Sequence, residues 1–486
     1  MSTPNTHHGA RAISAMLEAV PSGKIFFCGV GGISMSSLAE LSIMDGYRTA
    51  GSDRTESGIT RRLSSLGCEV HIGHEAKNVE DADIFVYTVA ISPDNPEYVR
   101  AGELSIPRIS RADYLGYLMT RRKSRIGISG THGKSTCTAM CASIFAAAER
   151  DPVVMCGAEM IGSGGGSCVL GGGDSFIFEA CEYMDSFLDF NPTAAVILNV
   201  EHDHVDYFSD IAQMRASFKK FADITQSDGE GCAIYNRDCA ETVLALKDFE
   251  GKRYPFGICD GDSELSERDG FSAVSLVEER GRYSFDVKYN GVHLCHVRLS
   301  VPGRHNVYNA LAAAAAAYNE GISPVDISEG LASFKGTRRR MEFKGSRNGA
   351  DFYDDYAHHP TEIEASLRSA RKFSSGRLIC AFQSHTYSRT AALLEGFASS
   401  LSLADKVLIA PIYSARETDT LGVDQFVLAN AVNEASKEGK SCKTAIGFGN
   451  FDEIVVELLS DTKPEDTVIV MGAGDLCLIF PKLGLK

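Results

Sequence analysis

Short apolar runs alternate with longer helix-prone segments along the chain. In the first third, strands are predicted at Lys24–Cys28, 69–73, 84–89 and 106–109. The first strand leads into a glycine turn and a helix that runs through Leu41. Strands that alternate with helices indicate a parallel sheet covered on both faces. The pattern predicts a small doubly wound domain that closes near Thr120.

The middle of the chain continues this alternation. An apolar run at 126–129 is followed by a helix-prone segment from Thr136 to Glu149, and the runs at 176–181 and 194–199 both end in polar residues. Further on we predict a helix at 211–222, an Asn290-Gly hairpin turn and an alanine-rich helix at 310–318. These elements indicate a second α/β domain.

The last part repeats the strand–helix order, so we predict βαβ units throughout and a second doubly wound sheet. The predicted strands are 352–356, 378–382, 407–412 and 468–471, and the predicted helices are 361–372, 391–401, 424–434 and 451–459. The expected fold class is therefore α/β with three domains. Its predicted division is an N-terminal extension (1–22), a Rossmann-like domain (23–122), a P-loop domain with a parallel sheet (123–336) and a C-terminal Rossmann-like domain (337–486).

Composition narrows the function classes. The chain has 486 residues, 44% hydrophobic and 23% charged, with a net charge of −16, and it contains no apolar run of membrane-spanning length. That charge argues against a broad nucleic-acid-binding face. Residues 1–22 lack the apolar core of a signal peptide, and the fourteen cysteines are scattered without CxxC pairs. We therefore expect reduced thiols, a cytoplasmic location and no membrane insertion.

The segment Gly130-Thr-His-Gly-Lys-Ser135, followed by Thr136, carries the clearest chemistry. A glycine loop between a strand and a helix lets backbone N–H groups converge on phosphate oxygens. In such loops Lys134 neutralises the terminal phosphates of ATP and the hydroxyl of Ser135 holds Mg²⁺. The motif departs from the usual P-loop at one position, where Ile128 replaces a glycine.

Polar residues at two strand ends lie where metal and phosphate ligands belong. Glu179 lies near the end of the 176–181 run, and Asn199-Val-Glu-His-Asp-His-Val-Asp206 begins where the next run ends. Ligands of open α/β sheets bind outside the carboxyl ends of the strands. A second candidate is the glycine turn Gly29-Val-Gly31-Gly32-Ile33 with Asp53 about twenty residues on, which resembles a dinucleotide fingerprint. Ser34 replaces its third glycine, so a nicotinamide and another diphosphate-bearing ligand both remain open.

At this point the sequence resembles the Mur ligases of peptidoglycan synthesis along essentially its whole length. The resemblance rests on eight motifs in order: Gly29-Val-Gly-Gly-Ile-Ser-Met35, Gly130-Thr-His-Gly-Lys-Ser135, Glu179-Ala-Cys-Glu182, Asn199 to Asp206, Arg304-His-Asn-Val-Tyr-Asn309, Arg339-Arg-Met-Glu342, Asp354-Asp-Tyr-Ala-His-His-Pro-Thr-Glu362 and Phe382-Gln-Ser-His-Thr-Tyr-Ser-Arg389.

The resemblance implies a UDP-binding domain, an ATPase domain and a mobile C-terminal domain that brings the amino acid. It implies that ATP phosphorylates the lactyl carboxylate of UDP-N-acetylmuramate and that the amine of L-alanine attacks the acyl phosphate. Cations must crowd the γ-phosphate because two anions approach each other there. Lys134 fits that role, with Mg²⁺ held by Ser135, Glu179 and His204.

Other roles are carried over from the resemblance alone. Gly130, Thr131, His132, Gly133 and Thr136 belong to the ATP loop. Asn306 and Asn309 match adenine-side positions, whereas Arg340 and Asp355 match contacts to phosphate and ribose. Tyr356, His358, His385 and Arg389 match positions around the amino acid, where Arg389 would pair with its carboxylate and a histidine titrating near neutrality would deprotonate the amine. Gly29, Gly31, Gly32, Ile33 and Asp53 fall in the UDP region.

Departures from the family pattern leave alternatives. Cys181 replaces a frequent aspartate, Ser384 replaces a proline, and Lys219 or Lys220 lies near a position where several members carry a carbamylated lysine. A sister ligase that recycles murein tripeptide fits the same motifs. A non-catalytic regulator gated by ATP is a second alternative, since it would keep the fold without the chemistry. An NAD-dependent oxidoreductase is a third, which would explain the first domain but not the P-loop. We expect a monomer or weak homodimer.

Overall fold

The computed structural model describes residues 10–20, 22–88, 91–162, 166–204, 207–229, 231–259, 269–415, 417–418, 420–436 and 441–485. Three separate sheets of five, ten and six strands follow one another along the chain, which gives the three-domain α/β architecture expected from the sequence. The boundaries at residues 22, 122 and 336 remain predictions. In the described part of the chain, no helix is long and apolar enough to cross a lipid bilayer.

The first domain is a five-stranded parallel sheet with strand order β3-β2-β1-β4-β5. Alternate residues of β1 serve two cores, because Ile25 and Phe27 pack on one face while Phe26 and Cys28 pack on the other. The strands are β1 (Lys24–Cys28), β2 (Arg48–Asp53), β3 (Glu69–Ile72), β4 (Ile84–Tyr87) and β5 (Arg108–Ser110), and the helices are α1 (Ala10–Glu18), α2 (Ile33–Met44), α3 (Gly58–Ser65), α4 (Pro96–Glu103) and α5 (Arg111–Thr120).

Part of the N-terminal extension is packed onto this domain. Helix α1 places Ile13 and Leu17 fully inside the core that also contains Tyr114 of α5. Their spacing of four residues puts both on one helix face.

The central domain combines a parallel sheet with an antiparallel extension. Its strands are β6 (Ser124–Ser129), β7 (Val153–Met155), β8 (Cys168–Val169), β9 (Ser175–Glu179), β10 (Ala194–Ile197), β11 (Cys232–Asn236), β12 (Lys252–Ile258), β13 (Phe271–Glu279), β14 (Arg282–Tyr289) and β15 (Val292–Pro302). The order is β15-β14-β13-β12-β11-β10-β6-β9-β7-β8, with antiparallel pairing at β13–β14, β14–β15 and β7–β8. The predicted Asn290-Gly291 turn joins β14 to β15, and both residues have the positive φ that such a hairpin needs.

The helices of the central domain are α6 (Lys134–Ala147), α7 (Ile211–Ile224), α8 (Ala240–Ala245), α9 (His305–Asn319) and α10 (Pro324–Ser333). Helices α9 and α10 pack against the P-loop helix α6, whereas α7 packs on the opposite face of the sheet. The alanine-rich helix α9 starts five residues before the predicted Ala310, so Asn306 and Asn309 lie on its first turns. Ala310 to Ala317 are all buried, because small side chains let α9 approach its neighbours closely.

The third domain is a six-stranded sheet in the order β16-β17-β21-β18-β19-β20. The prediction of βαβ units throughout is wrong at one edge, because β16 and β17 form an antiparallel hairpin. The predicted helix at 391–401 is two helices, since the chain breaks at Leu393. The strands are β16 (Glu342–Arg347), β17 (Ala350–Asp355), β18 (Leu378–Phe382), β19 (Lys406–Ile409), β20 (Thr444–Gly447) and β21 (Thr467–Met471), and the helices are α11 (Pro360–Arg371), α12 (Tyr387–Ala392), α13 (Leu394–Leu401), α14 (Gln425–Ser436) and α15 (Phe451–Asp461).

Candidate active site

The P-loop connects β6 to α6 in the centre of the parallel sheet. All six residues of β6 are buried, and the loop after it contains Gly130 with φ 141° and Gly133 with φ 86°, values that side chains with a Cβ rarely adopt. A Cβ on Gly133 would lie 2.5 Å from Oδ1 of Asn309. The N–H of His132 donates to Oδ1 of Asn199 at 2.7 Å, which ties the loop to the end of β10. These constraints hold the loop open at the N-terminus of α6, where an anion is favoured.

The ammonium group of Lys134 is surrounded by hydrogen-bond acceptors of this loop and of Glu182. Its Nζ donates to the carbonyl oxygens of Gly130 (2.5 Å) and Thr131 (3.1 Å) and lies 3.0 Å from Oε2 of Glu182, whose side chain is fully buried. Burial alone would lower the pKa of Lys134, but the Glu182 carboxylate raises it above its usual value. The pKa of Glu182 is lowered, because Lys134 and His204 outweigh the effect of burial. Both groups are therefore charged at neutral pH.

Oxygen ligands suited to Mg²⁺ meet beside the lysine. Oγ of Ser135 donates to Oε2 of Glu179 at 2.8 Å, and the N–H of Gly157 donates to the same oxygen at 2.7 Å. Nε2 of His204 lies 3.4 Å from Oε1 of Glu182, so His204 contacts the carboxylate that also pairs with Lys134. Hydroxyl and carboxylate oxygens at a phosphate-binding loop fit Mg²⁺. The last residue of the predicted cluster, Asp206, lies outside the described residues.

The backbone around these ligands has unusual conformations. His204 has φ 53°, and the neighbouring Met184 and Asp185 have φ 54° and 57°. The rings of Tyr183 and His204 lie 4.7 Å apart, so the two segments are in contact. Left-handed backbone at non-glycine residues costs energy and concentrates at functional sites.

A cleft between the central and third domains adjoins the P-loop. His132, Gly133 and Thr136 line it together with Asn306 and Asn309 of α9. Nδ2 of Asn309 donates to Oδ1 of Asn306 at 3.0 Å, and Nδ2 of Asn306 donates to the carbonyl of Pro302 at 2.7 Å. The amides are thus held in fixed orientations. From the third domain, the lining includes Arg340, Asp355 and Glu362.

The carboxylate of Asp355 accepts hydrogen bonds that hold the turn after β17. Its two carboxylate oxygens accept hydrogen bonds from the N–H groups of Met341 (3.1 Å) and Ala357 (2.7 Å), and Oγ of Ser366 donates to it at 3.2 Å. Burial raises the pKa of this carboxyl group, against the lowering effect of Arg340. The side chain therefore fixes the turn that follows β17, at the edge of the cleft.

The residues predicted for the amino-acid site lie together on the third domain. The rings of Tyr356 and His358 lie 5.5 Å apart, and those of His358 and His385 lie 6.5 Å apart. Nδ1 of His358 lies 3.1 Å from the carbonyl oxygen of Tyr356, and because a carbonyl only accepts, this nitrogen carries the proton and Nε2 is left as an acceptor. Arg389, on the first turns of α12, points across the cleft to Asp203.

Both histidines have a pKa below the ordinary imidazole value, and His358, contrary to the expectation, does not titrate near neutrality. Burial lowers the pKa of His358 to about 4, with Arg389 and Arg340 adding to the effect against the opposing Glu362. Burial and Arg389 also lower the pKa of His385. Both imidazoles are neutral at pH 7 because their protonated forms would be poorly solvated beside an arginine.

Comparison with known proteins identifies the family. Three family models match successive parts of the chain: the Mur ligase family catalytic domain (residues 24–123), the Mur ligase middle domain (128–317) and the Mur ligase glutamate ligase domain (339–474). The chain belongs to the Mur ligase family.

Individual Mur ligases resemble it over nearly the full length. A protein of Clostridium novyi is 42% identical over 453 residues, covering 93% of this chain and 95% of the relative, and one of Lachnospira eligens is 43% identical over 453 residues, covering 93% and 96%. Both are named UDP-N-acetylmuramate–L-alanine ligase. The crystal structure of the ligase MurC of Thermotoga maritima matches with a TM-score of 0.72 and 26% identity, covering 95% of this chain and 98% of that one. A murein peptide ligase of Psychrobacter arcticus, at 23% identity and TM-score 0.64 over the same shares of the two chains, has the same fold.

The UDP-region residues form a separate group in the first domain of this Mur ligase. Gly29, with φ 85°, follows β1, and Gly32 is the N-cap of α2, whose first residue is Ile33. The N–H of Gly31 donates to Oδ2 of Asp53 at 2.9 Å, and a Cβ on Gly31 would lie 2.7 Å from that oxygen. Asp53 is therefore in direct contact with the glycine turn.

Several acids at the site received no role from the sequence. They are Glu182 beside Lys134, Asp203 beside Arg389, and Glu201 and Glu362 on either side of His132. Each lies inside a motif already singled out, four residues or fewer from a predicted site residue, but sequence spacing does not show which side chain each acid contacts. Lys219, in contrast, pairs with Asp223 at 2.6 Å one turn along α7, as an ordinary surface lysine does.

Proposed function

We propose that this Mur ligase joins L-alanine to the lactyl carboxylate of UDP-N-acetylmuramate at the expense of ATP. The observation that carries the proposal is geometric. The caged Lys134 with its oxygen ligands and the group formed by His358, His385 and Arg389 belong to different domains and are joined across one cleft by the Arg389–Asp203 contact. The names of the relatives supply the substrates. We further propose the domain division 1–22, 23–122, 123–336 and 337–486, a cytoplasmic location and a monomer or weak homodimer.

In the first step, the lactyl carboxylate attacks the γ-phosphorus of ATP and ADP leaves. Lys134 neutralises charge on the transferred phosphoryl group, and its cage of carbonyls and Glu182 keeps it in place. Ser135, Glu179 and His204 would hold Mg²⁺, which neutralises phosphate charge when bound. Asn306, Asn309 and Arg340 line the cleft where the nucleotide would lie.

In the second step, the amine of L-alanine attacks the acyl carbon, the acyl C–O bond breaks, and inorganic phosphate leaves carrying the proton that the amine gives up. Nε2 of His358 is a neutral acceptor suited to position the amine, and Arg389 can offer a bidentate contact to the amino-acid carboxylate. Gly31, Gly32 and Asp53 would hold the UDP portion of the other substrate at the start of α2.

One experiment tests the proposal. Purified protein is mixed with ATP, Mg²⁺ and UDP-N-acetylmuramate, and ADP release is measured against L-alanine, glycine, L-serine and murein tripeptide. Release that requires both UDP-N-acetylmuramate and L-alanine supports it. Preference for the tripeptide would indicate the recycling ligase instead, and no turnover with any acceptor would indicate a regulator.

A further inference from the structure

The histidine of the P-loop contacts acids from two domains. Nε2 of His132 lies 3.4 Å from Oε2 of Glu201, which follows β10 in the central domain. Nδ1 lies 3.2 Å from Oε1 of Glu362, on the first turn of α11 in the third domain. The side chains of His132 and Glu362 are 14% and 10% exposed, so their contact is largely shielded from water, whereas Glu201 is 36% exposed.

The start of α11 is shaped to make this contact. His359 is the N-cap, Pro360 is the first helical residue, and Glu362 reaches back to the N–H of the cap in a capping box. The cap itself fixes the Glu362 side chain, which therefore meets His132 without a further ordering cost. Two more contacts join the same surfaces: Oγ1 of Thr361 donates to Oε2 of Glu201 at 2.8 Å, and the rings of His132 and His359 lie 5.1 Å apart.

Charge complements this geometry. Burial alone would lower the pKa of His132, but Glu362 and Glu201 raise it to about 9. His132 together with His358 and Arg340 lowers the pKa of Glu362 well below its usual value, and His132 lowers that of Glu201, in both cases against burial. A charged imidazolium therefore lies between two carboxylates at neutral pH.

The other groups that face His132 keep their charge state as the pH rises from 7.5. His359 has a pKa lowered by burial and by His132, and the pKa of His305 is lowered to about 4, so both are already neutral. Arg340 has a raised pKa and stays cationic. Among the described groups around this contact, His132 is the one whose ionisation falls between pH 7.5 and 10.

We propose that His132 is a positioning residue that holds the third domain closed over the P-loop by bridging Glu201 and Glu362. The inference rests on the proposed function, because closure is what brings His358 and Arg389 to the acyl phosphate. The backbone of His132 is tied to Asn199 on both sides, through its N–H (2.7 Å) and its carbonyl (3.0 Å). The same rigid loop that receives phosphate therefore also carries the docking point of the third domain.

The bridge predicts a pH-dependent closure with a defined sign. In the open state His132 keeps Glu201 of its own domain but loses Glu362, so its pKa moves from the raised value of the closed state toward the ordinary value near 6.5. The stabilisation of the closed state is fully present below pH 6.5 and is lost as the pH rises through about 9. Between pH 7.5 and 10 the closed-to-open ratio should fall by about 30-fold at most.

The test follows closure and does not depend on turnover. Small-angle scattering of the intact protein gives the radius of gyration at pH 7.5 and pH 10, for the wild type, His132→Asn, Glu362→Gln and the double variant. We expect the wild type to expand at pH 10 and His132→Asn to be expanded at both pH values. The double variant should equal His132→Asn at both pH values, since both substitutions break one contact. Equal radii for wild type and His132→Asn at both pH values would overturn the proposal.

A matched control is His296→Asn, which removes another histidine–carboxylate pair, Nδ1 of His296 to Oδ1 of Asp286 at 2.8 Å, exposed and within the central domain. It should scatter like the wild type at both pH values, and the expansion expected of His132→Asn, if seen in this variant, would refute a specific role for His132.

Ligation assays give a second readout. His132→Asn should lower kcat more than it raises the KM for ATP, and the ratio of wild-type kcat to variant kcat should be smaller at pH 10 than at pH 7.5. A wild type that closes as described but does not ligate would disprove the proposed function and leave the bridge intact.

Discussion

Arg389 and Asp203 form an ion pair across the cleft between the third and central domains. Nη2 lies 3.1 Å from Oδ1, and the two side chains are 14% and 6% exposed. Burial would raise the pKa of Asp203, but Arg389 and His204 hold it well below its usual value. The arginine assigned to the amino-acid carboxylate is thus already paired with a carboxylate of the protein, next in the chain to a proposed Mg²⁺ ligand.

This pair makes Arg389→Ala an informative variant. If Arg389 binds L-alanine, the KM for L-alanine should rise by about one to two orders of magnitude, because a charge-assisted bidentate contact is worth about 1.5–3 kcal/mol. The KM values for ATP and UDP-N-acetylmuramate should change far less. Arg389→Lys should restore little of the affinity for L-alanine, because an ammonium group cannot make the bidentate contact of a guanidinium. Asp203→Asn is the control, since it breaks the same interdomain pair but keeps the guanidinium. A parallel rise of all three KM values in both variants would assign Arg389 to closure alone.

Lys134→Ala should lower ligation by about a hundredfold or more, since it removes the main cation at the transferred phosphoryl group. Binding of UDP-N-acetylmuramate, measured by calorimetry, should be largely kept because that site lies in the first domain. The change also removes the lysine partner of the fully buried Glu182 carboxylate, which should lower the midpoint temperature of thermal unfolding. Adding Glu182→Gln should recover the midpoint without recovering activity. Recovery of activity in the double variant would contradict the role of Lys134.

Glu179→Gln should raise the Mg²⁺ concentration needed for half-maximal activity and lower the rate, because an amide is a weaker ligand than a carboxylate. His204→Ala should behave similarly. His202→Ala is the matched control, since Nε2 of His202 lies 3.1 Å from the carbonyl of Phe208 instead of facing Glu182. An unchanged Mg²⁺ titration in Glu179→Gln would leave this residue with a structural role.

Gly31→Ala should weaken UDP-N-acetylmuramate binding, because the new Cβ would lie 2.7 Å from Oδ2 of Asp53 and displace it. The control is Gly58→Ala in the same domain, where a Cβ meets nothing within 4 Å. Calorimetric titration of both variants should show the loss in Gly31→Ala only. Equal affinities would remove the glycine turn from the UDP site.

His358 should make the protein less stable in acid. Its pKa is about 4 in the folded chain against about 6.5 unfolded, so the unfolded state binds more protons between these values and stability falls as the pH drops through that window. The shift corresponds to about 3 kcal/mol at most. The thermal midpoint should therefore fall less between pH 6.5 and 4 in His358→Gln than in the wild type. Identical losses in the two proteins would show that His358 is not held neutral by the fold.

The sequence determined the elements and most candidate ligands. Periodicity and glycine turns located the strands that matter, including Leu378–Phe382, which the structure reproduces residue for residue. The P-loop and the strand-end position of Glu179 followed from local spacing, because a strand-to-helix turn and its backbone geometry are encoded within a few neighbouring residues. The antiparallel edge β16–β17 was missed because pairing direction depends on chain segments that a local pattern does not join.

Only the tertiary structure decided which charges meet. Glu182 and Lys134 are 48 residues apart, Asp203 and Arg389 are 186 apart, and Thr361 and Glu201 are 160 apart. The tertiary structure also decided the protonation states. His358 and His132 both lie beside Glu362, yet the pKa of His358 is lowered to about 4 and that of His132 is raised to about 9. Glu362 and Glu201 flank His132, whereas Arg389 and Arg340 add to the effect of burial around His358. A pKa is a property of the surrounding field, and that field exists only once distant segments have packed together.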